Sequence, residues 1–175
     1  MPNKTEIRIG GSGGQGVILA AQILGKAAVL DGKNVLQTQA YGAEARGSLA
    51  KSEVIISDSK IGFPAVRKPD VLVAMNQDAL NALLKDLKET GTLIVDSTNV
   101  TTIPETKAKV HRIPITETTK KTFGEALYAN MVMLGAFVKI TKLVTPKSVE
   151  ETIRANLSAK TIETNVKAFM KGLEL

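Results

Sequence analysis

A chain of 175 residues with 43 % hydrophobic and 23 % charged side chains is sized for one domain with a single core, and its composition excludes a disordered tail. It has no Cys and one His, so it can form no disulfide, no thiolate metal site and no iron–sulfur ligation, and His111 cannot build a zinc site alone. The net charge of +6 is uneven, with 11 basic and 10 acidic side chains over residues 1–100 against 12 and 7 over residues 101–175.

A basic C-terminal part suits an acidic partner, a phosphorylated cofactor or nucleic acid, or simply places solvated lysines on helix surfaces. Aromatic residues, at 3 %, are too scarce for base stacking, so nucleic acid is not an expected partner. No apolar run reaches the roughly 18–20 residues that cross a bilayer. The opening Met1-Pro2-Asn3-Lys4-Thr5-Glu6 shows no signal-peptide pattern, so the expectation is a cytoplasmic protein without a membrane partner.

Taken in chain order, residues 6–10 read as a first strand, with Ile7 and Ile9 alternating before glycine. Residues 17–30, apolar on nearly every side, predict a buried helix that Asp31-Gly32-Lys33 stops. Residues 34–39 read as a second strand, completing a strand–loop–helix–strand unit whose crossover is expected to be right-handed. Residues 40–48 interrupt the pattern, and residues 52–57 resume as a strand before the turn-like Asp58-Ser59-Lys60.

Residues 71–75 form a continuous apolar run typical of a central parallel strand. Residues 76–87 predict an amphipathic helix, with Leu80, Leu83, Leu84 and Leu87 at helical spacing. Residues 92–96 and 110–113 read as further strands, and residues 124–140 as a long apolar helix. Thr145 and Pro146 mark a helix start, and residues 160–173 a last helix. The expected fold is one α/β domain over residues 1–175, three-layer α/β/α with a mostly parallel Rossmann-like sheet.

Three stretches carry chemistry. The first is Gly10-Gly11-Ser12-Gly13-Gly14-Gln15-Gly16, a G-x-G-x-x-G at Gly11, Gly13 and Gly16 between a strand and a helix. Its glycines allow close backbone approach, and the helix N-terminus beyond offers N–H groups to a phosphate or carboxylate. A dinucleotide site also wants an acid at the end of the second strand, where Leu36-Gln37-Thr38-Gln39 has none. A Walker loop fails because no Lys-Ser/Thr pair follows.

The second stretch is Tyr41-Gly42-Ala43-Glu44-Ala45-Arg46-Gly47-Ser48, placed where open α/β sheets bind ligands. Glu44 and Arg46 either pair locally, or Arg46 grips a carboxylate or phosphate or reaches across a subunit boundary. The third is Ala74-Met75-Asn76-Gln77, in which Asn76 is suited to cap a helix and also to face a crevice. Asn130, in an otherwise apolar helix, needs a partner if buried. No Ser/His/Asp or Cys/His set exists, and no residue is assigned as catalytic or as a metal ligand.

In this order the motifs resemble the gamma subunits of the 2-oxoacid:ferredoxin oxidoreductases. The resemblance rests on Gly13-Gly14-Gln15-Gly16, on Tyr41, Gly42, Glu44, Arg46 and Gly47, on Met75-Asn76-Gln77, and on Leu93 to Asp96. It continues with Asn130 and Leu134-Gly135-Ala136, and with Asn165, Ala168, Phe169 and Gly172, so that it spans about residues 6–172.

The resemblance implies that alpha and beta subunits, with delta as a further candidate, are partners, and that ferredoxin is reached through the holoenzyme. Thiamine diphosphate, Mg and the iron–sulfur clusters would be carried by those other chains, with coenzyme A as co-substrate. This chain would bind no cofactor alone and would show no activity in isolation. It has neither cysteine nor a Gly-Asp-Gly segment followed by Asn at thiamine diphosphate spacing.

Implied site residues, for a ligand or a subunit interface, are Gly11, Gly13, Gly14, Gln15, Gly16, Tyr41, Glu44, Arg46, Ser48, Asn76, Gln77 and Asn130. Ala45 departs from the Phe-Gly-x-Glu-Arg-Arg-Gly form of pyruvate-type members, which favours 2-oxoglutarate, and Ser48 stands where a second glycine is more usual. Two other readings stand beside this one. They are a stand-alone NAD(P)- or nucleotide-binding protein, from the G-x-G-x-x-G context, and a non-catalytic assembly or regulatory module on the same fold.

Overall fold

The alternation that opens the chain builds a longer strand than its five central residues suggest. In a computed structural model, which describes residues 3–42 and 48–175, β1 runs Lys4–Ser12. Ile7 and Ile9 are fully buried on one face of it, and Arg8 points to the other. Strands β2 (Asn34–Tyr41), β3 (Leu49–Ser57), β4 (Val71–Ala74), β5 (Thr92–Asp96) and β6 (Lys109–Ile113) complete a six-stranded sheet of order β2-β3-β1-β4-β5-β6.

The mostly parallel expectation needs one correction. β1, β4, β5 and β6 are parallel neighbours, but β3 runs antiparallel to both β1 and β2 and separates them. The first strand–helix–strand unit therefore straddles a reversed strand. The physical reason lies in the connection: residues 42–48 are too few for a helical crossover, so the chain can only turn back on itself.

The two faces of the sheet are covered unequally. Helices α1 (Val17–Leu30), α4 (Ala129–Thr141), α5 (Pro146–Asn156) and α6 (Ile162–Glu174) pack over one face in a core that includes Ile7, Ile9, Val54, Val73 and Ile94. The other face carries a smaller cluster of Leu72, Ala74, Leu80, Leu83, Leu93, Val95 and Val100 under the short α2 (Gln77–Leu83). The layers are three, as expected, with the second helical layer reduced.

On this thinner side Arg8 is 3 % exposed, and its guanidinium is held by polar partners. It donates to Glu53 on the facing strand at 2.8 Å, to Asp86 at 2.6 Å and to the Val66 carbonyl at 2.9 Å. A buried cation is thus fully engaged where an apolar layer is thin.

Three helix expectations change. The single helix over 76–87 breaks into α2 and a 3₁₀ turn, Leu84–Asp86, after which Leu87 is extended. The helix expected from residue 124 begins at Ala129, because Gly124 instead ends a preceding helix in the left-handed region, with φ 83°. That helix, α3 (Ile115–Phe123), was not foreseen, since Ile115-Thr116-Glu117-Thr118-Thr119 is rich in β-branched residues that disfavour helix.

The two apolar helices α4 and α6 cross at glycines. A methyl group on Gly135 would fall 2.1 Å from the Phe169 carbonyl oxygen, and one on Gly172 would fall 2.0 Å from that of Val132. Among the described residues no helix is long and apolar enough to cross a membrane.

Candidate functional site

The C-terminal ends of β1, β4 and β5 are joined by side-chain hydrogen bonds. Gln15 folds back so that its Oε1 accepts from the Ser12 N–H at 2.7 Å and from Asn76 Nδ2 at 3.0 Å, while its Nε2 donates to the Met75 carbonyl at 3.3 Å. Asn76 also donates to the Ser12 hydroxyl at 2.5 Å and, through Oδ1, accepts from the Ala79 N–H at 2.8 Å. It is therefore the cap of α2, as expected, and also a brace of the glycine loop.

The belt continues through Asn99, which donates to the Met75 carbonyl, to Asp96 at 2.9 Å and to the Thr116 hydroxyl at 3.0 Å. Asp96 is fully buried at the end of β5 and accepts from Thr98, Asn99 and Thr116. A buried polar group so placed needs several partners, and it has them. Ser12, Asn99 and Thr116 were not among the expected site residues. The Asp96-Ser97-Thr98-Asn99 run after an apolar strand was their sequence signal, since such residues bond nearby backbone.

The glycine loop is held open to solvent on its far side. Gly14 and Gly16 have φ of 97° and 70°, where only glycine is unstrained, and Gly16 starts α1 without any side-chain cap. The first N–H groups of α1 are thus left to a ligand, a partner chain or water. Gly11 is needed for packing instead: a Cβ there would lie 2.7 Å from Gln15 Oε1 and 2.9 Å from Val17 Cγ1. Gly13 donates its N–H to the Ser48 carbonyl at 2.9 Å, which ties the glycine loop to the start of β3.

Two clefts flank this loop. One, of about 220 Å³, is bounded by Ser12, Gly13, Gly14, Val17, Tyr41 and Ala50. Tyr41 stands 65 % exposed on its rim. The other, of about 250 Å³, lies between the loop and the helices, with Leu19, Leu127, Tyr128 and Leu157 as apolar walls and Asn130 and Asn165 among its polar groups. Asn130 is buried and donates to the Gly16 carbonyl at 3.3 Å.

The structure thus brings together Gly11, Gly13, Gly14, Gln15, Gly16, Tyr41, Ser48, Asn76 and Asn130. Gln77 turns away: its Nε2 donates to the Thr102 carbonyl and its Oε1 accepts from the Thr101 and Thr102 N–H groups, so it anchors a loop. Glu44 and Arg46 lie outside the described residues. His111, on β6, has an Nε2 without a hydrogen-bond partner, and burial together with the nearby Lys109 charge lowers its pKa. Among the described residues no three His, Cys, Asp or Glu side chains gather as a metal site would require. With no cysteine in the sequence, this chain's donor set does not fit an iron–sulfur cluster.

The family model for pyruvate ferredoxin/flavodoxin oxidoreductase matches residues 6–175. The chain belongs to this family. It is 45 % identical to the 2-oxoglutarate synthase subunit KorC of Methanocaldococcus jannaschii, over 98 % of this chain and 94 % of that protein. Against KorC of Methanothermobacter marburgensis it is 46 % identical, over 98 % and 96 %. The pyruvate synthase subunit PorC of that same organism is 33 % identical, over 93 % and 92 %.

Among solved structures, the gamma subunit of a keto/oxoacid ferredoxin oxidoreductase from Geobacter sulfurreducens superposes with a TM-score of 0.86 at 42 % identity. That match covers 97 % of this chain and 96 % of the other. The family resemblance read from the ordered motifs is borne out over nearly the whole chain, and with it the α/β fold.

Proposed function

We propose that this chain is the gamma subunit of a 2-oxoglutarate-type 2-oxoacid:ferredoxin oxidoreductase. The assembled enzyme decarboxylates 2-oxoglutarate oxidatively, passes the acyl group to coenzyme A and hands electrons to ferredoxin. The observation that carries the substrate choice is the contrast within one organism, 46 % identity to the 2-oxoglutarate subunit against 33 % to the pyruvate subunit. Alpha and beta subunits, and delta where one is present, hold thiamine diphosphate, Mg and the iron–sulfur clusters. This chain supplies no redox centre.

Its own contribution is backbone and amide groups held still at the sheet's C-terminal edge. The uncapped start of α1 and the Tyr41 rim offer N–H donors and an aromatic wall to an anionic group or to a neighbouring subunit. From the sequence, Arg46 is our candidate for recognising a carboxylate or phosphate through its planar guanidinium fork.

The dinucleotide reading has a specific observation against it. β3 lies between β1 and β2, whereas the dinucleotide pattern sets the second strand directly beside the first. β2 also ends without an acid.

Anaerobic purification of the tagged chain from its native cells tests the assignment. Larger subunits should co-purify with a brown iron–sulfur spectrum, and the complex should turn over 2-oxoglutarate faster than pyruvate. A colourless chain purified alone would overturn the assignment. An assembled complex that prefers pyruvate would overturn the substrate only. In the assembled complex, Arg46→Ala should lower turnover while leaving subunit composition unchanged.

A further inference from the structure

An edge strand presents a row of unpaired N–H and C=O groups, and proteins ordinarily guard it with charge, proline or cover. The two edges of this sheet are guarded differently. β6 carries Lys109, His111 and Arg112 in five residues, and Pro114 follows it. β2 runs for eight residues, Asn34-Val35-Leu36-Gln37-Thr38-Gln39-Ala40-Tyr41, with no charge, no proline and no glycine. Among the described residues β2 pairs with β3 alone, and residues 38–41 are exposed.

Bulky apolar side chains collect along the same edge. Val29 and Leu30, at the end of α1, are 58 % and 57 % exposed. Val29 and Val35 border a groove of about 390 Å³ between α1 and β2, with Gln22 and Lys26 on its rim.

We propose that β2 is a pairing edge, and that its occupant is β2 of a second copy of this chain, running antiparallel across a twofold axis. The argument is one of charge. Opposing like charges destabilise a strand pair, and self-pairing of a wholly uncharged strand creates none. The same operation at β6 would set the charged Lys109 and Arg112 against their own copies. The excess positive charge of the molecule lies in residues 101–175, whereas residues 1–100 are nearly balanced. A positively charged chain can meet its own copy at β2 with little repulsion, and an acidic partner would instead choose the basic C-terminal part.

A twofold contact also needs only one self-complementary strip, which strand, groove and the Val29–Leu30 pair together supply. The inference goes beyond the subunit assignment and does not depend on it.

Sedimentation of the full chain over a wide range of concentration tests the pairing, with hydrogen exchange of the β2 amides as a second readout. The chain should be a reversible dimer, with the outward β2 amides protected in concentrated solution and exposed on dilution. Gln39 is exposed and faces Ser52 of β3, so charge is tolerated there within the monomer.

Gln39→Lys and Gln39→Glu should each raise the dimer dissociation constant roughly tenfold, and mixing the two should restore dimerisation. A monomeric wild type, a dimer indifferent to both variants, or a mixture no tighter than either alone would overturn the proposal. If neither variant folds, exchange on the wild type decides. Dimerisation without protection of β2 would also reject it.

Discussion

The side chain of Asn130 packs directly against the backbone of Gly16. The Asn130 Nδ2 donates to the Gly16 carbonyl at 3.3 Å, and a Cβ on Gly16 would fall 2.5 Å from that same nitrogen. Gly16 is also in the left-handed region, with φ 70°. Helix α4, far along the chain, thereby fixes where α1 begins, and the start of α1 fixes the glycine loop between the two clefts.

Gly16→Ala therefore meets both strain and a clash. Left-handed strain alone costs about 1–2 kcal/mol for a residue with a Cβ, and displacement of Asn130 adds to it. Denaturant unfolding should show a loss of at least about 2 kcal/mol. Gly16→Ala combined with Asn130→Ala should recover part of that loss, because the clash is removed and the strain remains. A strictly additive double variant would show that the two residues are not coupled.

The crossing of α4 and α6 makes a second prediction. Gly135 and Gly172 face each other so closely that a Cβ on either would overlap main-chain atoms of the opposite helix, and backbone cannot swing aside as a side chain can. Gly135→Ala should destabilise the chain by about 3 kcal/mol or prevent soluble folding. Gly32→Ala, with φ 79° and nothing within 4 Å of its would-be Cβ, should cost only about 1 kcal/mol. Thermal unfolding of the two variants side by side separates overlap from backbone strain.

Much of this fold was legible in the sequence because its elements are strongly periodic. The apolar runs that became β4, β5 and α4 bury most of their residues, and α1 buries most of its length apart from one side and its Val29–Leu30 end, so each leaves a plain signature. The reversed β3 was not read, because its Ser52–Ser57 core resembles a parallel strand and only the short connection from β2 betrays its direction. α3 was missed because tertiary bonds override its threonines: Asp96 accepts from the Thr116 N–H and hydroxyl.

At the site, the glycines and Asn76 announced themselves by type and spacing. The polar belt through Asn99 and Thr116 did not, since it joins residues that only the sheet brings together. Gln77 has the residue type of a ligand group and the geometry of a loop anchor.

Arg8 supplies a third test. Its guanidinium is enclosed by Glu53, Asp86 and the Val66 carbonyl, and Glu53 itself is only 13 % exposed. Removing one partner of a buried pair leaves the other charge without compensation, which costs about 3–5 kcal/mol. Arg8→Ala should show a loss of that size in denaturant unfolding. The combined Arg8→Met and Glu53→Gln change removes both charges and should cost less than Arg8→Ala alone. If the single variant were as stable as the wild type, the cluster would be ornamental to the fold.

The last prediction concerns acid stability and the junction of α1 with α5. The Asp31 carboxylate accepts from the Thr145 N–H at 2.6 Å, from the Thr145 hydroxyl at 2.9 Å and from Ser148. Partial burial by itself would raise its pKa. The bonds from Ser148 and Thr145, with the nearby Lys33 charge, outweigh that and hold it below the ordinary value of 3.8. A carboxylate whose folded pKa is depressed contributes stability that is present above its unfolded value and is lost as pH falls through the folded one.

Asp31→Asn should thus be less stable than the wild type by about 1–2 kcal/mol near neutrality, and the two stability curves should converge as pH drops below 3.8. Denaturant midpoints measured from pH 7 downward check this. A gap that stays constant into acid would mean that the charge on Asp31 contributes nothing and that only its shape is used.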